Sequence, residues 1–193
     1  MLRTAAQLLQ RQGLHATGLQ QILQESGAPR GSLYFHFPGG KEQLAAEAVR
    51  EAGARTAKAV ESMLSAHSDP REAVRTLFQG FAKVLRGSDF VEGCPVATVT
   101  LEAAASSQAI RGACAASYQE WQQLIHDHLV ATGLQSPRAD TLATLVLAAI
   151  EGTLILSRAH RDTKILEVVA DELVLLIESS LATSRKARRK TPR

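Results

Sequence analysis

A chain of 193 residues, 45% of them apolar and with a formal charge of +3, can bury one sizeable core or two small ones and lacks the composition of a disordered polymer. No window holds 18 consecutive apolar residues, because Glu151 interrupts the longest candidate, Leu142–Leu156, so a membrane span is not expected. Cys94 and Cys114 fit neither a disulfide framework nor a zinc spacing and no secretory start is present, so a reducing, cytoplasmic setting is expected, with both thiols packed as small hydrophobes.

Almost every segment repeats apolar residues at helical spacing, and none alternates as a strand would, so the fold class is all-α. Turn signals such as Ser26-Gly27, Pro38-Gly39-Gly40, Ser68-Asp69-Pro70 and Arg161-Asp162-Thr163 divide it into about nine helices. They are predicted over 2–12, 18–25, 29–36, 40–66, 70–86, 95–105, 107–132, 138–160 and 163–183. The first three are short, which points to a small head with its own core over residues 1–45. A larger helical body then fills 46–183.

In the head, Leu2, Ala5, Ala6 and Leu9 face Leu19, Ile22 and Leu23 across two apolar stripes, and Leu33, Phe37 and Leu44 close the core. Thr17-Gly18-Leu19-Gln20 reads as a capping box opening the second helix. Gly27 suits the left-handed residue that ends it, and Pro29 suits the first turn of the third. Two short helices joined by a tight glycine turn form a helix-turn-helix, with the third helix as the reading element.

That helix is rich in chemistry. Of eight aromatic residues in the chain, Tyr34, Phe35 and Phe37 crowd beside His36. Arg30 can fork onto guanine or a phosphate, Ser32 can bond either, and Gly31 lets the backbone approach a sugar-phosphate strand. Tyr34 and His36 offer polar tips on flat bodies for a phosphate or a thymine methyl. Lys41 stands at the start of the fourth helix, where free N–H groups already favour an anion. Phe35 and Phe37 are expected to turn inward, because so small a head needs aromatic mass to close.

Gly27, Gly31, Leu33, Tyr34, His36 and Phe37, followed by Lys41, Glu42 and Leu44, resemble the DNA-binding head of the TetR family of bacterial transcriptional regulators. Pro38-Gly39-Gly40, Gly93-Cys94-Pro95-Val96-Ala97, Leu101-Glu102-Ala103-Ala104 and Glu151-Gly152 further resemble its LmrA/YxaF-like branch of drug-responsive repressors, so the likeness spans nearly the whole chain. The resemblance implies DNA contacts, mostly to phosphates, from Arg30, Gly31, Tyr34, His36 and Lys41. Two departures stand out. The chain begins almost inside its first helix, where family members usually carry several residues, often basic. Position 18 is Gly where relatives often have Ser or Thr, which passes the phosphate contact near the second helix to Thr17.

The segment Leu142–Leu156 is apolar on nearly every face, and the last helix carries a stripe from Ile165 to Leu181 wider than one neighbour can cover. Two such helices per chain suit a four-helix homodimer interface built from about 138–160 and 163–183, with Gly152 allowing a close crossing. The resemblance implies the same pairing, which places two heads on successive major grooves of a palindromic operator. Phe78, Phe81, Phe90, Trp121, Leu124 and Ile125 are candidates to line a cavity for a small hydrophobic effector, or to serve as ordinary core. Glu102 and Glu151, carboxylates in apolar runs, either pair with a donor such as Arg158 or bind a polar group of that effector.

The expected function is therefore a dimeric repressor released from double-stranded operator DNA by a small effector. No cofactor is expected. A helical small-molecule-binding or interaction protein without DNA reading is the alternative. Catalysis is not expected, as no nucleophile motif, phosphate loop or paired-acid spacing occurs, and His126 and His128 are two apart on a helix and face different ways, so no metal site is expected. The segment 184–193 carries six cations and no anion, leaving −3 for residues 1–183. It is expected to be a disordered tail, either touching nucleic acid or merely solvated.

Overall fold

The computed structural model describes residues 1–190, with side chains through Ser184. Among the described residues there are nine helices and no strand: α1 (Leu2–Ala16), α2 (Leu19–Ser26), α3 (Arg30–His36), α4 (Gly40–Ser65), α5 (Pro70–Gly87), α6 (Ala97–Ala103), α7 (Gln108–Ala131), α8 (Ser136–His160) and α9 (Lys164–Lys190). The boundaries follow the turn signals, because a proline at a helix start and a glycine at its end act through local backbone geometry alone. The last helix runs past the expected end at 183. Side chains beyond Ser184 and residues 191–193, and with them most of the expected basic tail, lie outside the described residues.

The chain divides into two compact units, one of Met1–Ala57 with Val91–Gln119 and one of Lys58–Phe90 with the chain from Glu120 onward. In the first unit, α1 is interrupted directly after residue 12, where the sequence places the end of the first helix. Gly13 breaks it at φ 79°, ψ 179°, after which the chain turns helical again to Ala16. The break exposes the His15 N–H, and the Glu102 carboxylate of α6 accepts it at 2.8 Å. Gln10 donates to the Gly93 carbonyl at 2.7 Å, so the segment before α6 is tied to α1 as well. Where α4 and α7 meet, Gly53 lets them come so close that a Cβ there would stand 2.2 Å from Ser117 Oγ. The thiols of Cys94 and Cys114 are buried, and burial pushes that of Cys114 up.

In the second unit α5 packs on α9 and α8, with Leu77, Phe78, Leu142, Leu166 and Ile177 at the centre. Asp69 caps α5 by accepting the Arg71 N–H at 2.9 Å, ahead of Pro70. Its hydrogen bond with the Arg71 side chain lowers the Asp69 carboxyl to about 2. Arg71 also reaches Glu178 at 2.6 Å, and Arg75 reaches Asp171 at 3.2 Å, both on α9. Such exposed pairs contribute only about 0.2–1 kcal/mol each, so they align α5 and α9 more than they hold them.

One 18-residue window of α8 reaches a mean hydropathy of 1.7, long and apolar enough by composition to cross a membrane, so the interruption at Glu151 is a weaker argument than the sequence suggested. In the folded unit Leu142, Val146, Ile150 and Leu154 of this helix are buried core. Its Leu145, Ile155 and Leu156 are exposed.

Candidate nucleic-acid interface

The turn that presents α3 is built by backbone chemistry. Gly27 ends α2 at φ 66°, ψ 14°, a left-handed conformation that a residue without Cβ takes at little cost. Pro29 then stands as the residue before α3. With about 100° per residue, Leu33 and Phe37 share one face of this helix, and they are 1% and 6% exposed. Leu44 of α4 completes the same core at 1%.

Most of the rest of α3 is open. Arg30, Gly31 and His36 are exposed, and Tyr34 is 64% exposed. The side chains of Arg30, Tyr34 and Lys41 make no hydrogen bond or ion pair among the described residues, so their polar atoms are available to a partner. Lys41 is half-buried in the first turn of α4 and lines a recess of about 350 Å³ with Leu14, His15 and Ile110. Glu42 beside it is held by a short hydrogen bond from Ser107.

Three expectations about the head need correction. Phe35 is 81% exposed, because it lies two residues from both Leu33 and Phe37 and helical geometry turns it away from the face they share. Thr17 is 0% exposed and its hydroxyl donates to the Gly13 carbonyl at 2.6 Å. The carbonyl comes from the break in α1, which draws Thr17 inward. Gly18, with no side-chain cap, opens α2 in its place, so neither a capping box nor a phosphate contact from Thr17 stands. Ser32 keeps an outward position, but its hydroxyl donates to the Pro29 carbonyl at 2.7 Å, so in this arrangement it offers DNA an acceptor only.

Of the effector candidates, Glu102 lies in the first unit and the others in the second. Phe78, Trp121 and Ile125 are buried in the second unit, while Phe81 and Leu124 are half-buried there. Phe78 lines a recess of about 270 Å³ with Ala82, Leu166 and Ala170, bordered by Arg75 and Arg86. Phe90 is half-buried in a left-handed loop at φ 61°, with the Arg161 guanidinium 5.5 Å from its ring centroid. Glu102 belongs to the first unit and is engaged with His15. Glu151 is half-buried on α8. His126 bonds Asp127 at 2.9 Å and Ser136 at 3.2 Å, on a different course from His128.

Residues 1–48 match the family described as bacterial regulatory proteins, tetR family, and residues 70–172 match the transcriptional regulator LmrA/YxaF-like C-terminal domain. The chain belongs to the TetR family of transcriptional regulators. The HTH-type transcriptional regulator LmrA of Bacillus subtilis is 39% identical over 169 residues, which cover 87% of this chain and 90% of that protein. The uncharacterized regulator YxaF of the same organism is 36% identical, covering 92% and 93%. Among solved structures, a TetR regulator from Legionella pneumophila overlays with a TM-score of 0.77 at 22% identity, over 89% of this chain and 92% of that one. A cysteine mutant of the TetR-family regulator CifR, complexed with a 26-bp double-strand operator DNA, overlays at 0.75 and 21% identity, over 90% and 92%. The TetR-family fold and DNA-binding helix-turn-helix expected from Gly27 to Leu44 are therefore those of this chain.

Proposed function

We propose that this TetR-family regulator is a dimeric repressor that α3 docks in the major groove of a palindromic operator, and that a small hydrophobic effector releases it. The outward face of α3 carries the reading. It sets Arg30, Tyr34 and His36 in solvent over a firmly buried Leu33 and Phe37, and Lys41 follows within one turn of α4. In the proposal Tyr34, His36 and Lys41 grip phosphates, Gly31 lets the strand come near, Arg30 takes a guanine edge or a phosphate, and Ser32 accepts from a base amine. Exposed Leu145, Ile155 and Leu156 on α8 and Val168 and Leu175 on α9, with open space at Gly152, support pairing through these two helices. Phe78, Phe81, Trp121, Leu124 and Ile125 remain the effector candidates, with Glu151 for a polar group. The effector acts by favouring the dimer arrangement whose heads no longer fit the operator repeat.

Gel shifts on DNA from upstream of the chain's own gene test the proposal. Tyr34→Ala and Lys41→Ala abolish binding while the dimer persists in size-exclusion chromatography, and wild-type affinity falls steeply with salt as counterions are released. Unchanged affinity in both variants refutes the assignment. A thermal-shift screen of flavonoids, dyes and antibiotics, followed by operator release, then finds the effector.

A further inference from the structure

Phe35 takes no part in the buried core of the described residues. At 81% it is more exposed than Leu101 at 78% or Tyr34 at 64%, and the head closes without it through Leu33, Phe37 and Leu44. At about 100° per residue, position 35 falls opposite the midpoint between Leu33 and Phe37, so it points along the outward axis of α3. Gly31, one turn back on the same side, has nothing within 4 Å of where its Cβ would be. No side chain there screens the ring. The His36 ring meets Phe35 edge-on at a centroid distance of 5.0 Å, which holds the phenyl group in place.

Resting on the reading of α3 as the DNA-docking helix, we propose that Phe35 reads thymine. A phenyl ring gains nothing from a phosphate or from a hydrogen-bonding base edge. The thymine C5-methyl is the apolar group that the major groove presents. Phe35 sits foremost on the face that would enter the groove, and Gly31 beside it leaves room for the base step to come close. The hydroxyl and imidazole of its neighbours serve the strands, while Phe35 supplies sequence preference.

The probe is a duplex that the wild-type protein recovers from a random-sequence library, resynthesised with each thymine in turn replaced by deoxyuridine, which removes only the methyl. At one thymine per half-site the wild type loses about fourfold in affinity, the value expected for one buried methyl group. Phe35→Ala binds the thymine duplex more weakly and loses the uracil penalty at that position alone, whereas Phe35→Leu keeps part of it. All three share one melting temperature, since the ring is outside the core. Equal uracil penalties in wild type and Phe35→Ala, or none at any thymine in the wild type, overturn the thymine contact while leaving the regulator intact. A wild-type protein that selects no sequence overturns both readings.

Discussion

Replacing Gly13 by Ala tests whether α1 needs its break. At φ 79°, ψ 179° the residue occupies backbone space that side chains with a Cβ avoid. A Cβ there would also fall 1.7 Å from a carboxylate oxygen of Glu102. The backbone strain alone costs about 1–3 kcal/mol. The carboxylate must move too, releasing the His15 N–H it accepts at 2.8 Å; at a solvent-exposed site that loss is on the order of 1 kcal/mol. Together they come to about 2–4 kcal/mol, or a melting temperature lower by about 4–16 °C for a chain of this size. Glu102→Ala removes only the hydrogen bond, so it should cost about 1 kcal/mol in the wild type and almost nothing more once Gly13 is Ala. Thermal and urea unfolding of the four proteins, followed by far-UV circular dichroism, reads the cycle. A Gly13→Ala protein melting within about 1 °C of wild type would refute the strain argument. Equal costs of Glu102→Ala in both backgrounds would show that the carboxylate is not displaced.

Phe37→Ala should lose about 3–5 kcal/mol by urea unfolding whereas Phe35→Ala changes stability by less than about 0.5, and equal losses would contradict the orientation of α3. Gly53→Ala gains about 1 kcal/mol of helix propensity but overpacks Ser117 by about 1–3 kcal/mol. It should therefore destabilise the wild type and stabilise a Ser117→Gly background; stabilisation of both would show that α4 and α7 have slack at the crossing. Burial first, and the charge of His67 second, hold the His128 ring below its ordinary 6.5. Above that pH the ring is neutral in folded and unfolded chains alike. As pH falls through it the unfolded chain gains a proton that the folded chain refuses, so stability declines until the lowered folded value is reached. Urea midpoints between about pH 7.5 and 5.5 should fall in the wild type and flatten in His128→Leu, and parallel slopes would reject this origin.

Much of the head was legible because its signals are local. Gly27 and Pro29 end one helix and start the next whatever surrounds them, and the spacing of Leu33 and Phe37 gives one buried face, which Leu44 of α4 covers. The same spacing already separated Phe35 from Phe37. Hydrophobicity alone grouped them, whereas geometry placed Phe35 at 81% exposure and Phe37 at 6%. The break at Gly13 was legible as the end of the first predicted helix, whereas the helical turn that resumes after it was not. The effector residues were the least legible, because apolar side chains at helical spacing read alike as cavity wall and as core.

By itself, then, the sequence determined an all-α fold of about nine helices, the turn before α3 and the membership announced by Gly27 to Leu44. Each depends on backbone preference or on residue identity within a few positions. Tertiary structure decided where Thr17 and Glu102 stand. A carbonyl freed at Gly13 drew the Thr17 hydroxyl inward, and an N–H freed two residues on drew in the carboxylate of Glu102, 87 positions further along the chain. Polar partners chosen across that separation depend on which helices pack together, which no local pattern encodes.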